Sequence, residues 1–168
     1  QADSAVVSKV VNNGKIVAAA GGNTKNGGTA VHVAGLLGFG TNHLNSTEIV
    51  AVLDCVNNGD IESATARASG LVAACNRYTH VRGCDNYGDN LNTFKTSGGA
   101  RLGNITCITG AGSALYYTRN FGDLISTTTG AVGGVLCLVN SDDNVLEGVE
   151  TYGRVISDKA NNSYKGSF

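Results

Sequence analysis

The sequence predicts an α+β fold, a mostly antiparallel β-sheet assembly with one helical hairpin at about residues 46–77, in a single domain spanning 1–168. Three observations lead there. Glycine and asparagine are abundant, 24 and 18 of 168 residues, while Pro, Met and Trp are absent. Turns are therefore built from residues that reach positive φ cheaply, and no proline removes a backbone donor from a strand. Short β-branched runs bounded by Asn and Gly fill the first and last thirds, whereas the middle carries apolar residues at helical spacing.

In chain order, Val10-Val11, Asn13-Gly14 and Ile16-Val17 form an apolar pair, a turn dipeptide and a second apolar pair, the pattern of a two-residue hairpin. Residues 5–12 fit a helical period too, but β-branching favours strand. Thr29 to Ala34 reads as another strand. Asn45 is placed to cap a helix, with Glu48 three residues on and Ile49, Val52, Leu53 and Val56 on its apolar stripe. Asn57-Asn58-Gly59 stops it and Asp60 caps a second helix, whose stripe is Ile61, Ala64, Ala68, Leu71, Val72 and Cys75. Residues 84–90 then read as a polar loop. Strands resume at 104–109, 113–118 and 131–139, with a turn at Ser141 to Asn144 and an antiparallel return over 145–156. Residues 1–12 are expected to act as an exchangeable N-terminal strand and 157–168 as a mobile polar tail. Asn-Asn-Gly occurs twice, but no internal repeat emerges.

Five cysteines fit an oxidising compartment. In an antiparallel helical hairpin, Cys55 and Cys75 would lie about 18 Å apart along the helix axis, too far to bridge. The expected disulfides are Cys75–Cys84, closing a short loop, and Cys107–Cys137, between neighbouring strands; Cys55 is left unpaired or intermolecular. His80 between Cys75 and Cys84 raises a zinc reading, but the spacing is of no recognised zinc module and a fourth ligand is not adjacent. The oxygen-rich clusters Asp85, Asn86, Asp89, Asn90 and Asn140, Asp142, Asp143, Asn144 are explained by turn chemistry without calcium. No metal or cofactor is expected. Three glycosylation sequons, at Asn45, Asn104 and Asn161, match what 18 asparagines give by chance.

Twelve basic and thirteen acidic residues, with no basic stripe, give no reason to expect nucleic acid. No apolar run approaches the roughly 20 residues of a membrane helix. The absence of Met from a chain beginning with Gln1 suggests export after removal of an N-terminal signal, to the cell surface or beyond it. No nucleophile elbow, phosphate loop or zinc-protease motif is present. The expectation is a secreted structural subunit that assembles with copies of itself by strand-edge pairing. The alternatives are a monomeric extracellular module for a glycan or surface partner, using loops 85–92 and 140–144, and, behind it, a small secreted hydrolase.

Overall fold

The computed structural model describes residues 4–19, 31–41, 47–65, 67–93, 100–127, 131–157 and 165–166. Every regular element among them is a short strand, and every strand pairing is parallel. The chain coils five times. The first turn of the coil holds β1 (Ala5–Ser8), β2 (Val11–Asn12), β3 (Ile16–Ala18), β4 (His32–Ala34) and β5 (Gly40–Thr41). The second holds β6 (Val50–Leu53), β7 (Val56–Asn57), β8 (Ile61–Ser63), β9 (Arg67–Ser69) and β10 (Val72–Arg77). The third holds β11 (Thr79–Arg82), β12 (Asp85–Asn86), β13 (Asn90–Asn92), β14 (Arg101–Gly103) and β15 (Thr106–Thr109). The fourth holds β16 (Ala114–Tyr116), β17 (Arg119–Asn120), β18 (Leu124–Ser126), β19 (Ala131–Gly133) and β20 (Leu136–Val139). The fifth holds β21 (Val145–Glu147), β22 (Glu150–Thr151), β23 (Val155–Ser157) and β24 (Lys165–Gly166).

Strands at the same place in successive rungs stack into five sheets running along the coil axis, β1-β6-β11-β16-β21 being the first. This is a parallel β-solenoid, in which each crossover between parallel strands is the remainder of a rung. The helical hairpin over 46–77 and the antiparallel sheet are therefore corrected: the described residues contain no helix, and residues 50–77 make one whole rung, β6 to β10. The apolar positions there that fit a helical stripe also alternate. Val50 and Val52 are buried while Ala51 and Leu53 are only partly so, and each pairs with strands on both sides. Likewise Asn13-Gly14 turns the chain but does not pair β2 with β3; these join β7 and β8. The polar loop expected at 84–90 is β12 and the start of β13. The 140–144 turn is present, and the 145–156 segment then continues the coil rather than returning antiparallel.

Register exposes a repeat that inspection of the sequence missed. Equivalent residues lie 45 apart from the first rung to the second (Ala5, Val50), then 29 (Val50, Thr79), 34 (His80, Ala114) and 31 (Ala114, Val145). Starting at Val7, Val52, Val81, Leu115 and Leu146, the arcs read VSKVVNNGKI, VLDCVNNGDI, VRGCDNYGDN, LYYTRNFGDL and LEGVETYGRV. Within this arc the spacing never changes. The differences in rung length fall outside it, notably between the third and fourth strands of each rung. The third arc residue takes a left-handed turn in all five rungs, at Lys9, Asp54, Gly83, Tyr117 and Gly148.

The core is a set of columns. Val52, Val81 and Leu115 stack inside the first sheet with Val7 and Leu146 packed at the ends, and Leu71, Ile105 and Val135 face them. A smaller cluster of Ala68, Leu102, Leu124 and Val132 fills the other lobe. Strand β23 takes up Val155–Ser157 and β24 takes up Lys165–Gly166, so both stretches pair with the preceding rung; the rest of the expected tail lies outside the described residues.

Candidate functional site

The corner between the β1-type and β2-type strands is where the arcs agree best. Asn12, Asn57, Asn86 and Asn120 form an interior ladder along the axis. Asn12 Nδ2 donates to Asn57 Oδ1 (2.7 Å), Asn57 to Asn86 (2.8 Å), Asn86 to Asn120 (2.8 Å), and Asn120 to the Thr151 hydroxyl (3.1 Å). The second amide hydrogen of Asn57, Asn86 and Asn120 goes to the carbonyl two residues on, at Gly59, Gly88 and Gly122. Those glycines are required by close approach. A Cβ on Gly88 would sit 2.1 Å from the Gly59 carbonyl oxygen, far inside contact distance.

Outside the corner, one residue per rung stacks again. Tyr87, Phe121 and Tyr152 lie face to face at centroid distances of 4.7 and 5.1 Å, and Asn58 bonds Asn13 in the rungs below (2.8 Å). Asp60 and Asp89 each accept the backbone N–H of the equivalent residue one rung on (3.0 and 2.8 Å). Asp123 does so from Arg154 (2.8 Å) and also binds its guanidinium. Those bonds hold the Asp123 carboxyl below its ordinary range and raise Arg154. Arg119 grips Asp85 with two nitrogens at 2.8 and 2.7 Å, which raises the guanidinium above its ordinary value.

The two ends of the stack are open. Strands β1 to β3 and β21 to β23 each have a neighbour on one side only. Ladder bonding is regular up to those edges: Val56 and Asn58 donate to the Val10 and Asn12 carbonyls, and Glu150 and Tyr152 to those of Thr118 and Asn120. The ends differ in charge. Described residues 4–41 carry Lys9 and Lys15 and no carboxylate, whereas 140–157 and 165–166 carry Asp142, Asp143, Glu147 and Glu150 against Arg154 and Lys165. Exposed Val6, Val11 and Val17 stud the first edge and Val145, Tyr152 and Ile156 the last.

No family model, curated protein or solved structure matches this chain.

The residues singled out from sequence are dispersed by the coil. All five cysteines are free thiols, so neither Cys75–Cys84 nor Cys107–Cys137 is bonded. Cys75 lies inside β10, where the Thr106 hydroxyl approaches its sulfur at 3.7 Å. Cys84 stacks on Cys55, whose backbone N–H points to Cys84 Sγ at 3.4 Å. With no helical hairpin, the helix-offset argument about Cys55 and Cys75 lapses. Burial pushes the Cys75 and Cys84 thiols up to about 12 and raises Cys107 and Cys137 as well. His80 lies on the outer face, bonded to the Gly112 carbonyl (3.1 Å) and edge-on to Tyr116, while Cys75 and Cys84 point inward. They cannot share a zinc ion. Of the first oxygen-rich cluster, Asn86 and Asn90 are interior, while Asp85 pairs with Arg119 and Asp89 belongs to the axial ladder. In the second, Asn144 Nδ2 closes the turn on the Ser141 carbonyl at 2.6 Å. Asn104 is fully buried and donates Nδ2 to the Gly122 carbonyl (2.7 Å), so the folded chain offers no amide for a glycan there. Asn45 and Asn161 lie outside the described residues.

One lateral groove, about 440 Å³, opens on the outer face of the first sheet. Val6, Ala51 and Leu53 floor it, with His80, Arg82 and Tyr116 beside them and Glu48 on its wall. Sequence reading missed the Asn ladder, the aromatic column and the groove, although the recurring N-x-G triplet at residues 12, 57, 86 and 120 was a visible sign of the first.

Proposed function

We propose that this protein is an extracellular structural subunit that joins copies of itself end to end. The observation that supports the reading is the pair of open, in-register edges of opposite charge. Bonded in the pattern of the internal rungs, Val11 N–H of one copy donates to the Val149 carbonyl of another, and Asn13 N–H to the Thr151 carbonyl. Thr151 then offers its hydroxyl hydrogen to Asn12 Oδ1, which accepts only the Gly14 N–H (3.0 Å) among the described residues, and the Asn ladder runs on unbroken. Gly153 meets Gly14, matching the small-residue column. Among the described residues Arg154 meets Lys15, a like-charge contact, and Lys15 is held toward Glu62 at 2.5 Å. Such an interface is heterologous, so repetition gives an open fibre or a ring.

Negative-stain microscopy with mass measurement tests the reading: concentration-dependent rods are expected, weakening with salt as the end charges are screened. Val11→Glu places a carboxylate opposite Glu150 and should weaken association about tenfold or more, an energy of roughly 1.4 kcal/mol; Val11→Lys should preserve or tighten it. A wild-type chain that stays monomeric at high concentration overturns the proposal. The second reading, a module for a glycan or surface partner, draws on the lateral groove. It predicts binding by the monomeric Val11→Glu variant that is lost on Arg82→Ala.

A further inference from the structure

His32, Arg67, Arg101 and Ala131 form one column, each in register with the next. The residues that follow them, Val33, Ala68, Leu102 and Val132, are buried, so the column faces outward. It does not face open solvent. After β9 and β14 the chain bends sharply, and the next sheet folds back against this face. Cys107 Sγ donates to the Ala68 carbonyl (3.1 Å) and packs with Ala73, Ala34 and Leu138; Cys137 Sγ donates to the Ala131 carbonyl (3.5 Å). Arg67 and Arg101 thus lie in a crease walled by these thiols, and Arg67 is half-buried.

Two guanidinium groups on adjacent strands, about 4.8 Å apart at the backbone, repel each other. Two arginines, Arg119 and Arg154, are answered by a carboxylate one rung away, Asp85 and Asp123. Among the described residues neither Arg67 nor Arg101 has one. Arg67 Nη1 instead donates to His32 Nε2 (2.7 Å), which leaves that imidazole nitrogen as acceptor. Arg67 Nε is buried with no partner. Burial and Arg101 together lower the Arg67 pKa from its ordinary value.

We propose that this crease binds a tetrahedral oxyanion, a sulfate or phosphate group, between Arg67 and Arg101. A carboxylate has two oxygens in one plane and suits a single guanidinium fork. A tetrahedral anion presents oxygens to two guanidinium groups one rung apart and offsets the repulsion between the two cations. Its source is either the free inorganic ion or an ester carried on a polymer. The proposal does not depend on end-to-end assembly.

Titration of the ¹⁵N-labelled protein with sodium sulfate, against sodium chloride and sodium acetate at matched ionic strength, tests it. Saturable shifts at the amides of Arg67, Arg101 and Cys137 are expected with sulfate and not with the other two salts. Arg101→Gln should weaken the response at least tenfold and Arg101→Lys less, with circular dichroism confirming that both variants remain folded. Dextran sulfate and neutral dextran then separate the sources. Tighter binding per sulfate that Arg101→Gln abolishes indicates a polymer ester, and response to inorganic sulfate alone indicates the free ion. Equal responses to all three salts, or sulfate or dextran sulfate binding unchanged in Arg101→Gln, overturn the proposal.

Discussion

Asn57 and Asn90 are both fully buried, in adjacent rungs, and their amides meet opposite fates. Asn57 uses both amide hydrogens and accepts one bond. Asn90 sits where the other arcs carry Ile16, Ile61, Leu124 and Val155, and neither its oxygen nor its nitrogen has a side-chain partner. Asn86→Ala strands the Asn57 amide hydrogen and the Asn120 oxygen, so unfolding stability should fall by about 2–4 kcal/mol, read by urea denaturation. Asn90→Leu restores the apolar column and should raise it by about 1–3 kcal/mol. A third expectation concerns the thiols. Burial keeps Cys55, Cys75, Cys84 and Cys107 from solvent and leaves Cys137 partly accessible. A disulfide reagent at pH 8 should label one thiol rapidly in the native protein and five after denaturation.

At the scale of the element, much of the local punctuation was legible and the pairing was not. Strand character at residues 5–12, 104–109, 113–118 and 131–139 follows from β-branching. Yet 5–12 is two strands split at Lys9, 131–139 is two strands of different sheets, and Asn13-Gly14 is a corner and not the hairpin turn expected. The partners do not follow, because each strand bonds to one 29 to 45 residues away. No local window reports such a distance, and unequal rung lengths blur the period that would have revealed it. The segment 46–77 misled because inward residues of a coil recur at spacings of three and four where corners intervene, as at Ala68, Leu71, Val72 and Cys75. Likewise the site was dispersed in sequence: Arg67 and Arg101 become neighbours only through register. One electrostatic consequence belongs to the junction between the fourth and fifth rungs, where Asp123 binds Arg154. The folded pKa of Asp123 is depressed, so its contribution is full above the unfolded carboxylate value near 3.9 and is lost as pH falls through the lower folded value. Below pH 4 the melting temperature of the wild type should therefore fall more steeply than that of Asp123→Asn.

For the whole molecule, the solenoid makes stability a sum of rungs and the contacts between successive rungs. The first and last rungs each lack one neighbour, which is why Val7 and Leu146 are only partly buried while Val52, Val81 and Leu115 between them are sealed. Assembly end to end would bury the outer two and extend the same column. The unequal register also leaves a mechanical signature. Held by its two ends and stretched, the coil should peel one turn at a time, because the bonds between rungs lie along the axis of the load. At about 3.3–3.6 Å per extended residue, the turns of 29, 31 and 34 residues would each release roughly 100–120 Å of chain. A force-extension trace would then show the lengths of the rungs, in order, as the spacing between its peaks.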